Sequence, residues 1–284
     1  MRLVTYSLGG ETRIGALTAD GDRIAPLSGG SGPSSLLELI ERGPYALSDA
    51  ASFALASETT YEVGMVRLLA PLPNPRKIVA IGLNYMDHAR EQGVEPPEKP
   101  LVFAKFTSSI VGPGDALSWD PELTGQVDYE VELGVVVGRE ARNVSEEDAL
   151  DHVFGYTVLN DVSARDLQFG DGQWVRGKSL DTFCPIGPWI TTADDVADPQ
   201  SLALRCWVND ELLQDSNTSE MIFSVRELIA FLSRSFVLQP GDIIATGTPF
   251  GVGVFREPQV FLKDGDVVAV EVEGLGKLVN PVSL

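Results

Sequence analysis

Gln126-Val-Asp-Tyr-Glu-Val-Glu-Leu-Gly-Val-Val-Val-Gly138 first alternates acids with apolar residues and then turns almost wholly apolar. A β-strand sends successive side chains to opposite faces. The spacing therefore predicts Asp128, Glu130 and Glu132 on one face, with Val127, Tyr129, Val131 and Leu133 on the other. Neighbouring acids on such a face lie about 6–7 Å apart. That crowding is unfavourable unless water or a cation covers the face. A solvated strand face accounts for the alternation alone, but the Val135-Val-Val137 continuation predicts a strand that enters a core. Acids at the mouth of a buried strand suit a divalent cation.

Working outward, the chain has 284 residues, more than one core usually serves, so a large domain with a smaller companion is expected. No stretch approaches the roughly 18 consecutive apolar residues of a membrane span. The opening Met-Arg-Leu-Val-Thr-Tyr lacks the long apolar segment of a secretory signal. The expectation is a cytoplasmic protein without a membrane partner. Cys184 and Cys206 form no framework and read as small buried hydrophobes. Lys+Arg 21 against Asp+Glu 41 gives a formal charge of −20, which repels phosphate backbones and excludes nucleic acid as a partner. A small anionic substrate needs a local cation or basic side chains to hold it.

Residues 1–72 read as a small unit of short strands, with a Gly/Ser-rich loop at 28–35 that feeds a short helix at 36–42. Ala70-Pro-Leu-Pro-Asn-Pro-Arg76 denies the chain regular hydrogen bonding and marks the boundary. Residues 73–284 are rich in strands, with glycine turns directly before hydrophobic runs at Gly112-Pro-Gly-Asp115, Gln239-Pro-Gly-Asp242 and Lys263-Asp-Gly-Asp266, and the end of the chain reads as a hairpin about Gly274-Leu-Gly276. Ser224 with Glu227 is a capping box that opens a helix over 224–236. Ser145, followed by Glu146, Glu147 and Asp148, predicts a second helix start.

Further candidates for chemistry flank these elements. Asp161 ends the strand-like Gly155-Tyr-Thr-Val-Leu-Asn-Asp161 and is followed by Arg165 and Gln168; it reads either as a ligand beside anion-binding donors or as a helix N-cap. His88 and Glu91 share one face of a helix begun near Asn84, the arrangement in which a carboxylate orients a histidine base. His152 has no such context. Lys178 lies in a Gly-flanked segment, and Thr246-Gly-Thr248-Pro-Phe-Gly-Val-Gly253 reads as a turn that matches neither phosphate-loop pattern.

Together, Gly-Leu-Asn-Tyr-x-x-His88 with Glu91, Asp-Tyr-Glu130-Val-Glu132-Leu, Asn-Asp161-Val-Ser-Ala-Arg165-Asp-Leu-Gln168, Gly-Lys178-Ser-x-Asp-Thr and Thr-Gly-Thr248-Pro closely resemble the fumarylacetoacetate hydrolase family in order and spacing. The resemblance implies an α+β, mostly β fold: a mixed, largely antiparallel β-roll over 73–284, a small N-terminal α/β domain over 1–72, and a homodimer. It implies Glu130, Glu132 and Asp161 as metal ligands, His88 and Glu91 as the general-base pair, and Lys178 as the electrophile. Tyr85, Lys105, Arg165, Gln168 and Thr248 would contact substrate. Oxygen-only ligands suit Mg2+ or Mn2+, with Ca2+ admissible.

One departure is Ile81, which stands where the animal fumarylacetoacetate hydrolases carry a further aspartate ligand. The chain therefore looks more like the smaller acylpyruvase, oxaloacetate decarboxylase and hydroxymuconate isomerase members. The retained His88/Glu91 pair favours hydrolysis of the C–C bond of a 2,4-dioxo acid to a 2-oxo acid and a carboxylic acid. Oxaloacetate decarboxylation and isomerisation of a 2-hydroxyhepta-2,4-diene-1,7-dioate type acid are the alternatives, and a non-enzymatic cation-binding protein is the rival outside catalysis.

Overall fold

The computed structural model describes residues 1–27 and 32–284. The first half of the loop expected at 28–35 lies outside them, and the helix it was expected to feed is Leu36–Glu41. Among the described residues twelve strands make one sheet, in which Tyr61–Glu62, Arg23–Pro26, Glu11–Leu17 and Arg2–Leu8 lead into Cys184–Thr192, Val153–Asn160, Val131–Val137, Ile243–Ala245, Ile78–Gly82 and Leu101–Lys105. The N-terminal strands thus continue the sheet of the rest of the chain, through Arg2 opposite Thr191 and Leu3 opposite Ile190. Most pairings are antiparallel; Ile243–Ala245 with Ile78–Gly82 is parallel. A second sheet orders Glu211–Asn217, Ala203–Val208, Val267–Val272 and Gly276–Pro281, and its last two strands are the expected terminal hairpin. The fold is the expected mixed, largely antiparallel α+β class.

Val131–Val137 is central to the large sheet and buried along its whole length. Its odd-numbered residues Val131, Leu133, Val135 and Val137 pack with Leu204, Cys206, Val268 and Val270 of the second sheet. Val136, on the opposite face, packs with Leu159, Ile186, Ile243 and the helix residues Leu36 and Leu39. Burial on both faces explains the continuous apolar run and leaves Glu132 no route to bulk water. Both cysteines are free and buried, and among the described residues no helix is long and apolar enough to cross a membrane.

The helix Val225–Ser235 has the capping box: Ser224 Oγ accepts from Glu227 N at 3.3 Å, and Glu227 Oε2 accepts from Ser224 N at 2.7 Å. Val225, Leu228, Ile229 and Leu232 sit in the core. Ser224→Ala is expected to cost about 1 kcal/mol, read as a lower midpoint in urea denaturation with an unchanged slope. The helix start expected at Ser145 is corrected. Ser145 Oγ does accept from Asp148 N at 3.2 Å, as an N-cap would, but only a 3-10 turn over Ala149–His152 follows. The chain must be extended again by Val153, where it pairs with Val137, so too few residues remain for an α-helix.

Candidate active site

Three chain segments bring the acids together. Pairing lapses at Tyr129 and Glu130, between the short strand Val127–Asp128 and Val131–Val137. Glu130 N then donates to Asn160 Oδ1 at 3.0 Å, and Asp161 N donates to Glu130 O at 2.9 Å. This lashes the end of Val153–Asn160 beside the acids. Glu130, Glu132 and Asp161 each offer a carboxylate oxygen within 4.8 Å of the others, and all three are buried.

Asp128 departs from the single acid face expected of the run. Its carboxylate accepts from Arg165 Nε at 2.8 Å, Gly253 N at 2.7 Å and Val254 N at 3.0 Å. Gly253 is required for this: a Cβ there would stand 1.8 Å from Val260 O and 2.7 Å from Asp128 Oδ1. The loop read from sequence as a plain turn is therefore also a cradle of amides. Its Gly247 N donates to Glu132 Oε2 at 2.9 Å, and Thr248 Oγ1 donates to Val131 O at 2.9 Å while accepting from Gln214 Nε2 at 2.9 Å.

The cations are distributed unevenly. Lys178 ends the short helix Val175–Lys178 and is buried, not solvated as a loop lysine would be; its Nζ lies 2.8 Å from Glu130 and 2.7 Å from Asp161. Arg165 lies 2.7 Å from Glu130 and donates to Gln168 Oε1 at 3.0 Å. Lys105 Nζ lies 2.5 Å from Asp161 and also donates to the Lys178 carbonyl. Four buried acids, Asp128, Glu130, Glu132 and Asp161, thus face three buried cations, and Glu132 has only a backbone amide.

The titration of the two glutamates follows from this. Burial works to raise the Glu130 carboxyl, but Lys178 and Arg165 outweigh it and hold it at about 2. Burial, then the charges of Asp161 and Glu130, push Glu132 well above the usual carboxylate range. Burial opposes the Lys178 charge as well, yet Asp161 and Glu130 prevail and keep it an ammonium, which makes it a hydrogen-bond donor and not an amine nucleophile. An unbalanced negative charge in a dry, oxygen-only cluster is the electrostatic setting a hard divalent cation relieves. Glu130, Glu132 and Asp161 fit such an ion.

His88 and Glu91 lie on the helix Met86–Gln92. His88 Nδ1 meets Glu91 Oε2 at 2.7 Å, and Glu91 Oε1 accepts from Gly251 N at 2.8 Å, tying the pair to the glycine loop. His88 Nε2 meets Gln92 Nε2 at 2.8 Å, a partner one helical turn on that the sequence reading passed over. A cavity of about 230 Å3 joins His88 and Gln92 to Glu130, Arg165, Gln168, Lys178 and Thr248.

Two expected substrate contacts are placed otherwise. Tyr85 lies in the hydrophobic core, beside the Asn84 carbonyl that accepts from Ile222 N at 2.7 Å, and the Tyr85 ring does not line the cavity. Lys105 is also off the cavity wall, its ammonium committed to Asp161 and the carbonyls beneath it. Gln214 and Trp174, which no local pattern marks, belong to the site instead, the first behind Thr248 and the second on the cavity wall.

Residues 77–283 match the family described as Fumarylacetoacetate (FAA) hydrolase C-terminal. The chain belongs to the fumarylacetoacetate hydrolase family. It is 48% identical over 288 residues to the Xenopus laevis protein named Oxaloacetate tautomerase fahd2, mitochondrial, covering 99% of this chain and 90% of that protein. It superposes on the fumarylacetoacetate hydrolase of Exiguobacterium antarcticum with a TM-score of 0.88 at 41% identity, covering 100% of this chain and 99% of that one. For the maleylpyruvate hydrolase of Sphingobium sp. SYK-6, in complex with manganese (II) ion and pyruvate, the TM-score is 0.83 at 35% identity, with 100% and 99% covered.

As expected from Ile81, the chain sides with the oxaloacetate tautomerase type of member and not with fumarylacetoacetate hydrolase itself. It is a metal-dependent enzyme acting on keto or dioxo acids. The cytoplasmic expectation is overturned, because the Xenopus tautomerase and its rat, cattle and human counterparts are named as mitochondrial.

Proposed function

We propose that this enzyme interconverts the keto and enol forms of oxaloacetate, with Mg2+ or Mn2+ held by Glu130, Glu132 and Asp161. The observation that carries the reading is His88 on the wall of the same cavity as Glu130 and Lys178, one ring nitrogen fixed by Glu91 and the other able to exchange Gln92 for substrate. When bound, the divalent ion supplies polarisation of the 2-oxo carbonyl. His88 Nε2 takes a proton from C3, the C–H pair becomes the C2=C3 bond, and the carbonyl π pair moves to O2, which takes a proton from water; the hydroxide left takes the proton from His88 and restores the base. The reverse sequence returns the keto form. Arg165 and Gln168 orient the carboxylate, and the Lys178 ammonium donates to the oxygen on which charge develops.

In the sequence alone the His88/Glu91 pair favours hydrolysis, but proton movement at C3 needs the same pair and no attacking water. The near full-length likeness to an oxaloacetate tautomerase therefore weighs toward tautomerisation. Hydrolysis of a 2,4-dioxo acid is the second reading, favoured by the likeness to the maleylpyruvate hydrolase. The test is to follow the enol absorbance of oxaloacetate, and the cleavage of a panel of acylpyruvates, with magnesium or manganese present. Acceleration of keto–enol exchange well beyond the buffer rate is expected. Exchange at the buffer rate together with rapid acylpyruvate cleavage would replace this reading with the hydrolase.

The same reading takes 73–284 as the catalytic unit, since the residues assigned roles here all lie within it, and takes the molecule as a homodimer. For the dimer, support comes from Leu101–Lys105, which ends the large sheet with Val102 and the adjoining Phe106 exposed.

A further inference from the structure

One side of the cavity has no part in the chemistry above. Trp174 lies against Gly82, where a Cβ would stand 2.4 Å from the indole ring and 3.1 Å from Leu101. Only glycine lets the indole settle there. Phe103 meets Trp174 edge to face, with centroids 5.3 Å apart and planes at 70°. Leu101, Phe103 and Trp174 thus form one continuous apolar wall of the cavity. The wall abuts the charged floor, since Lys178 Nζ lies 5.5 Å from the Phe103 centroid. Phe255 extends apolar surface to the base, its ring centroid 5.9 Å from that of His88.

The second carboxylate of oxaloacetate finds little on this side. Among the described residues lining the cavity, the cationic side chains are Arg165 and Lys178, with His88 the only other basic group. Arg165 and Lys178 both serve the 2-oxo acid end of the substrate, held there by their ion pairs with Asp128, Glu130 and Asp161, so neither remains for a second carboxylate. A carboxylate pushed against Leu101, Phe103 and Trp174 would lose hydration without gaining a partner. An aromatic ring there gains area out of water and edge-to-face contacts with the two aromatic side chains.

We propose that the enzyme also tautomerises 2-oxo acids that carry an aryl group at C3, the arylpyruvates, with the ring against Leu101, Phe103 and Trp174. The inference rests on the tautomerase reading and widens its substrate class. The 2-oxo acid end is common to both substrates, so the chemistry is unchanged: a proton leaves C3 as the C2=C3 bond forms, O2 gains one, and no further reactant is consumed. The C3 substituent points to the wall because His88 must reach the C3 proton from the Phe255 side.

The test compares the magnesium-loaded enzyme on the enol forms of phenylpyruvate and oxaloacetate. Phenylpyruvate is expected to be converted with kcat/KM within about ten-fold of oxaloacetate. Trp174→Ala should lower the phenylpyruvate-to-oxaloacetate ratio of kcat/KM ten-fold or more, the scale of losing most of one ring's burial. Because Trp174 precedes the helix that carries Lys178, Leu101→Arg provides a second arm: Leu101 is 45% exposed, and a cation there should favour oxaloacetate over phenylpyruvate. Turnover of oxaloacetate with none of phenylpyruvate would overturn the inference and leave the tautomerase standing. Turnover of neither would overturn both, and an unchanged ratio in both variants would overturn the role of the wall.

Discussion

Exhaustive chelation is expected to lower turnover by about three powers of ten, with magnesium or manganese restoring it, because loss of carbonyl polarisation removes several kcal/mol of transition-state stabilisation. The reason lies in the charge count at the floor of the cavity. Glu130 and Asp161 are each matched by buried cations, whereas Glu132 is buried beside them with one amide for company. Glu132→Gln should therefore separate two effects that Glu130→Ala would merge. The amide keeps the size of the side chain and an acceptor for Gly247 N, and like the protonated acid that burial favours at this position it carries no charge, so the metal-free variant should melt no lower than the metal-free parent.

Magnesium should stabilise the parent by mass action, by about 2.7 kcal/mol at a hundred times the dissociation constant, seen as a higher melting temperature, and should fail to do so in Glu132→Gln. Turnover of the variant should stay near the chelated level whatever metal is added. Full activity of the parent after chelation, or an undiminished magnesium shift in Glu132→Gln, would refute the assignment of the ion to these three carboxylates.

What the sequence disclosed was local. The alternation at Val127–Leu133, the Ser224/Glu227 box and the hairpin about Gly274 are written within a few residues, and so is the i, i+3 relation of His88 to Glu91. The charge partners were not legible, because they come from distant segments. Asp128 sat in the same alternation as Glu130 and Glu132, yet its carboxylate is taken by Arg165 and by the amides of Gly253 and Val254. Lys105 looked like a substrate contact and is instead the counter-charge of Asp161. Trp174 had no periodicity to announce it, and only the space left by Gly82 shows why it stands on the wall. The absent helix at Ser145 has the same origin: the capping contact with Asp148 N is present, but strand pairing at Val153 lies outside any local window.

His88→Ala is expected to slow keto–enol exchange by two to four powers of ten, the usual range for a positioned acid–base group, while the affinity for a non-reacting 2-oxo acid analogue changes little. The split follows from geometry, since the groups that grip the carboxylate end, Arg165, Gln168 and Lys178, are held by Asp128, Glu130 and Asp161 and not by the histidine. Glu91→Gln should give a smaller loss of the same kind. It keeps an acceptor for His88 Nδ1 but removes the negative charge that favours the protonated ring during transfer. Loss of carbon dioxide from oxaloacetate needs polarisation of the carbonyl but no proton taken from C3, so any such side activity should survive His88→Ala far better than exchange does. Replacing Asp161 should damage both alike. If His88→Ala left exchange at the parent rate, the proton would have to be moved by another group on the cavity wall, and Lys178 would become the first residue to test.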